Sequence, residues 1–177
     1  MKTLYIVRHA KSSWDFSAIP DYDRPLLETG IIRTNKIIKY LKNQDTNPDL
    51  IVSSHALRAK ETARMIANGL SYPPGNIRIM EEIYHGDIDD VLNLITTLTG
   101  DKEKVMIVGH NPTLTSLSNI FLSEPIDWLP TSGVVCIEFI TDKWENIMQA
   151  EKKTRFVITN KLIKELKKVK KSGNDKP

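Results

Sequence analysis

Two histidines follow directly on short apolar runs, and one of them is preceded by an arginine: Leu4-Tyr5-Ile6-Val7-Arg8-His9 and Val105-Met106-Ile107-Val108-Gly109-His110. A guanidinium offers a planar fork of donors that matches phosphoryl oxygens, and a neutral imidazole nitrogen can attack phosphorus and hold it covalently. Arg8 and His9 therefore set an anion fork and a nucleophile side by side. Arg58, four residues beyond Ser54, falls where a helix amino terminus is expected, and backbone N–H groups there already favour an anion. His110 is placed to donate to the same anion, and Arg24, held extended by Pro25, is a further contact. Singly, each residue has a plain reading as surface charge, exposed helix arginine or satisfied core histidine. Their common position at the ends of apolar segments is what sets them apart.

The elements that must position these groups are strands. A continuous apolar run closing on cationic or titratable residues is how a buried parallel strand delivers side chains to the carboxyl edge of an open α/β sheet, where ligands bind. Leu4 to Val7, Asp49 to Ser54 and Lys104 to Val108 read as three such strands. Between them, a polar loop runs from Lys11 to about Asp23, and a helix from Thr29 to Lys42 carries a stripe of Ile31, Ile32, Ile37, Ile38 and Leu41. A second helix reaches Leu70, a short strand covers Ile77 to Ile79, and a helix capped by Asp87 or Asp89 ends near Leu98. Pro112 suits the first turn of the next helix; Gly133 to Ile140 and Arg155 to Thr159 supply further strands. Strand alternating with helix predicts an α/β sandwich with a mainly parallel sheet.

At 177 residues the chain fits one domain, expected to span 1–160 and large enough to bury about 70 % of its unfolded surface. The single cysteine, Cys136, forms no internal disulfide and points to a reducing compartment, cytoplasmic by default. The apolar stretch before Arg8 is too short for a signal peptide or a membrane span, so no membrane partner is expected. The formal charge of +3 sits in a basic tail, 161–177, whose seven lysines face only Glu165 and Asp175. A folded body that is itself slightly acidic gives no reason to expect nucleic acid. The tail is expected to be solvated, although Leu162, Ile163, Leu166 and Val169 keep a helical spacing.

Leu4 to Trp14, Asp23-Arg24-Pro25-Leu26, Ser53 to Ala63 and Val108-Gly109-His110-Asn111-Pro112, in that order, resemble the motifs of the histidine phosphatase superfamily, with the SixA-like phosphohistidine phosphatase branch fitting best. The resemblance runs to about Phe139. It implies a three-layer α/β/α sandwich of phosphoglycerate mutase-like fold, with His9 as the nucleophile that becomes phosphohistidine. Arg8, Arg58 and His110 would form the phosphate pocket and Arg24 an accessory contact. No metal or organic cofactor is implied, and the four histidines show no metal-ligand spacing. Larger members carry a glutamate before a Tyr-Gly-like stretch. Glu81-Glu82-Ile83-Tyr84-His85-Gly86 is similar in either of two registers, so Glu82 and Glu81 are candidate proton donors and Asp87 a third. Ala10 stands where the broader superfamily usually has glycine, which fits the SixA-like branch and argues against a mutase.

Other phosphate chemistries fail on the same sequence. There is no GxxxxGK[ST] loop, and Cys136 has Asp142 instead of arginine six residues on, so neither a P-loop nor a thiol phosphatase loop can form. Asp87-Ile88-Asp89-Asp90-Val91 matches an aspartyl-phosphate motif in letters, but no buried strand precedes it. Three readings remain: a phosphatase for phosphohistidine on proteins, one for small phosphomonoesters, and a phosphate-binding adaptor without turnover. The absence of long capping insertions implies an open pocket and favours the first.

Overall fold

Alternate residues of each strand face opposite sides of the sheet, and the core divides accordingly. The computed structural model describes residues 1–13, 19–98 and 100–173; Trp14, Thr99 and residues 174–177 of the basic tail lie outside the described residues. The chain runs β1 (Lys2–Arg8), α1 (Glu28–Asn43), β2 (Leu50–Ser54), α2 (Leu57–Gly69), β3 (Arg78–Met80), α3 (Glu82–His85), α4 (Ile88–Leu98), β4 (Lys104–Gly109), α5 (Thr113–Phe121), β5 (Val134–Phe139), β6 (Lys152–Ile158) and α6 (Asn160–Gly173). The strands form one mixed sheet in the order β3-β2-β4-β1-β5-β6. The first four are mutually parallel, whereas β5 runs antiparallel to both β1 and β6. Leu4, Ile6, Val52, Val105 and Ile107 pack with Leu94, Ile95, Leu117 and Phe121 on one face. Tyr5, Val7, Ile51, Met106 and Val108 pack with Ile37, Leu41, Ala63 and Ile66 on the other. This is an α/β fold of three layers with a mainly parallel sheet, and among the described residues no helix is long and apolar enough to cross a membrane.

Two expectations need correction. The buried stripe of α1 is Gly30, Thr34, Ile37, Ile38 and Leu41, while Ile31 and Ile32 are exposed. The cause is a close approach: Lys11 O accepts the Leu27 N–H at 2.9 Å, and a Cβ on Gly30 would lie only 2.3 Å from that same oxygen. The first turn of α1 is thus turned toward the chain just beyond His9, and the isoleucines face outward. The second correction concerns the tail. Residues 160–173 form a helix whose Ile163 is 7 % exposed and joins the core beside Ile37 and Leu41. Burying one apolar side chain offsets the cost of ordering a lysine-rich segment, by about 1.5–3 kcal/mol.

Cys136 lies in β5 with no exposure, and burial pushes its thiol up to about 12.

Gly30→Ala is expected to lower stability by about 1–3 kcal/mol, because the added methyl meets backbone and not a flexible side chain. Urea unfolding would measure this, and an unshifted midpoint would show that α1 can move away at no cost.

Candidate active site

The pocket begins with strand register. Pairing of Arg8 with Gly109 brings the residues after both strands together, so that the rings of His9 and His110 stand 4.9 Å apart. His9 N–H donates to Gly109 O at 3.0 Å. From the other side, Ser132 N–H reaches the carbonyls of Arg8 (3.1 Å) and His9 (3.2 Å). Ser132 achieves this at a φ of 60°, a left-handed conformation that costs a residue with a side chain roughly 1–2 kcal/mol. Its hydroxyl contacts Thr34 Oγ1 at 2.8 Å, which ties the strained residue to α1. Ala10 N–H donates to Thr62 Oγ1 at 2.9 Å, and Thr62 Oγ1 donates to Arg58 O at 2.6 Å. The segment just after β1 and the first turns of α2 are therefore fixed to one another.

The tautomer of His9 follows from its partner. A carbonyl can only accept, so the contact of 2.7 Å between Nδ1 and Ala10 O puts the proton on Nδ1 and leaves the Nε2 lone pair free. Arg58 Nε–H points to that lone pair at 3.3 Å. His9 is 8 % exposed. Burial holds its pKa down to about 3, the Ala10 carbonyl pulls the other way, and the charges of Arg58, Arg8 and Arg24 add to the depression. His110 contacts Ser54 Oγ through Nε2 at 2.8 Å. Burial, then His9 and Arg58, hold its pKa down to about 2 against the opposing charge of Asp21. Both rings are neutral at ordinary pH.

Three guanidiniums surround them. Arg8 Nη1 donates to Leu129 O at 2.9 Å, Asn111 Nδ2 donates to the same oxygen at 2.9 Å, and Trp128 lies over the Arg8 guanidinium at 5.3 Å. Arg24 is set by a short antiparallel bridge between Ser12 and Leu26, and its Nη1 donates to Ser13 O at 3.1 Å. Arg58, 4 % exposed, starts α2 as the sequence predicts. Arg8 Nε, His110 Nδ1 and Asn111 Oδ1 are buried and have no hydrogen-bond partner among the described residues. The unpaired Nε–H of Arg8, set among cations, fits a pocket completed by an anion, whereas Asn111 Oδ1 can only accept.

Two participants escape the sequence reading. Asp21, in a single 3-10 turn over Asp21–Asp23, accepts Arg58 Nη2 at 2.9 Å and pairs with Arg24 Nε at 2.9 Å. Tyr84 OH donates to Asp21 Oδ2 at 2.6 Å, and its ring stands edge-on to His110 at 5.2 Å. Asp21 three residues before Arg24 is a spacing suited to an ion pair, but nothing in the sequence links it to Arg58. The candidate donors are placed differently. Glu81 and Glu82 are exposed, and among the described residues neither makes a hydrogen bond or ion pair to the pocket. Their segment reaches it through Tyr84. Asp87 Oδ1 accepts the N–H groups of Asp89 (2.9 Å) and Asp90 (3.1 Å), so it caps α4.

Comparison with known proteins agrees with this geometry. The family model of the histidine phosphatase superfamily (branch 1) matches residues 4–93. An uncharacterised chloroplastic protein of Arabidopsis thaliana is 28 % identical over 152 residues, 81 % of this chain and 69 % of its own. The structure of the protein histidine phosphatase SixA complexed with tungstate superimposes with a TM-score of 0.77 at 20 % identity, covering 91 % of this chain and 99 % of that one. A protein of Agrobacterium tumefaciens bearing the SixA name gives 0.74 at 26 % identity, covering 89 % and 97 %. Two adjacent strand-end histidines, one held neutral among guanidiniums, thus belong to a phosphatase, and this chain is a member of the histidine phosphatase superfamily.

Proposed function

We propose that the chain hydrolyses phosphohistidine on proteins through a covalent phosphohistidine on His9, without a metal or other cofactor. The observation that carries this reading is the Nδ1–H bond from His9 to Ala10 O, which leaves Nε2 as the one nucleophilic nitrogen of the ring. His9 Nε2 forms a bond to phosphorus as the bond from phosphorus to the substrate's imidazole nitrogen breaks, and that nitrogen takes up a proton. Water then attacks the His9-bound phosphorus, restoring the imidazole and releasing inorganic phosphate. Arg8, Arg24 and Arg58 offset the charge on the phosphoryl oxygens, and His110 lies beside the nucleophile to hold one of them. A nitrogen leaving group protonates readily and makes little demand on an acid such as Glu82 or Glu81. The 26 % identity to the SixA-named protein supports the substrate class. A small phosphomonoester would meet the same pocket and is the second reading.

Incubation with a phosphohistidine protein and with a panel of phosphomonoesters, in the presence of a chelator, tests the proposal. Release of phosphate from the protein at a kcat/KM well above the esters is expected, and His9→Ala should lose roughly a thousandfold or more. Faster turnover of small esters would establish the second reading; loss of activity in chelator would reject the metal-free mechanism.

The buried nucleophile also leaves a signature in stability. Free imidazole takes a proton near pH 6.5, whereas folded His9 takes one only near 3, so between these values the unfolded chain binds the extra proton. Stability therefore falls as pH drops from about 6.5 toward 3, and His110 acts in the same direction. In urea unfolding at about pH 7.5 and about pH 4.5, His9→Asn should show a smaller loss on acidification than wild type. An equal loss would show that His9 does not contribute.

A further inference from the structure

Each nitrogen of Arg58 already donates one hydrogen bond. Its Nε–H points to His9 Nε2 at 3.3 Å, its Nη1 donates to Asp21 O at 2.6 Å and its Nη2 to Asp21 Oδ2 at 2.9 Å. The other carboxylate oxygen of Asp21 pairs with Arg24 Nε at 2.9 Å, and Tyr84 OH closes on Oδ2 at 2.6 Å. One carboxylate thus draws together two guanidiniums and a phenol beside the nucleophile, which is the donor set a phosphoryl group requires. We infer that Asp21 is an internal competitor for phosphate: its carboxylate takes the place of phosphoryl oxygens on Arg58 and Arg24, and substrate enters by displacing it. The inference rests on the phosphatase reading above and names the residue that sets the affinity of that pocket.

Three features favour displacement over a fixed structural pair. The cations are buried and the anion is not: Arg58 and Arg24 side chains are 5 % and 9 % exposed, Asp21 is 47 %. Asp21 belongs to a one-turn segment with no buried residue, so its release disturbs no core packing. An ion pair with one partner this exposed is worth little, whereas a phosphoryl dianion brings twice the charge and two oxygens in the plane of the guanidinium. Release of Asp21 also frees the Tyr84 hydroxyl to donate to the incoming group. Before substrate arrives, the same carboxylate balances a guanidinium that would otherwise be buried without a counter-charge.

Calorimetric titration with inorganic phosphate and with tungstate tests this without relying on turnover. Asp21→Asn and Asp21→Ala are each expected to bind both anions about tenfold more tightly than wild type, while Asp21→Glu, which keeps the charge, should stay close to wild type. Circular dichroism on the same samples checks that each variant is folded. Weaker or unchanged binding by folded Asp21→Asn, with phosphatase activity retained by wild type, would overturn the inference and make Asp21 a simple positioning group for Arg58. Anion binding and phosphate release absent from wild type as well would instead reject the phosphatase reading.

Discussion

A protonated imidazole has no lone pair with which to attack phosphorus, and a cluster of cations is where an anionic substrate must bind. His9 satisfies both demands because burial and three guanidiniums keep it neutral, while Ala10 O fixes which nitrogen carries the one proton. Much of the surrounding structure serves that arrangement. Arg8 and Asn111 converge on a single carbonyl, that of Leu129, so the segment before β5 holds one wall of the pocket to the end of β4. Thr62 ties Ala10 to the carbonyl of Arg58, and the cation that faces His9 is held to it. The positive charge this concentrates is offset in part by Asp21.

The sheet provides what an all-parallel arrangement would not. With β4 on one side and antiparallel β5 on the other, β1 is paired along both edges, and the turn into β5 doubles back across its carboxyl end. Ser132 is the residue of that turn that touches β1. Its left-handed backbone directs one N–H at two consecutive carbonyls, and strain of this kind persists where neighbours over-determine it. Here the neighbours are the carboxyl end of β1 and Thr34 of α1.

What could be read from the sequence follows from which forces act locally. Arg8, His9, Arg58 and His110 were legible because each closes or follows a buried apolar strand, and strand periodicity alone directs such residues to one sheet edge. Arg24 was legible only through Pro25, which holds it extended, since its final place depends on a bridge between Ser12 and Leu26 that no pattern announces. Asp21 and Tyr84 enter the pocket from irregular segments, where side-chain direction is decided by tertiary partners. Glu81 and Glu82 drew notice through the resemblance of their stretch to larger family members, yet in that segment it is the tyrosine that turns inward. The face of α1 was misread for a related reason: a glycine contributes nothing to a hydrophobic stripe, but its lack of a side chain let the backbone of Lys11 choose the buried face. In α6 the lysines outweighed the helical spacing, and the decisive contact, Ile163 against α1, is long-range.

Cys136 is the chain's single thiol, fully enclosed in β5 and held far from ionisation. Thiolate, not thiol, reacts with disulfides and alkylating agents, so the folded enzyme is shielded from both. Modification becomes possible only when β5, one strand in from the edge of the sheet, is uncovered. The protein therefore carries a built-in chemical clock for the opening of that side of the sheet, readable under conditions where the pocket is fully at work.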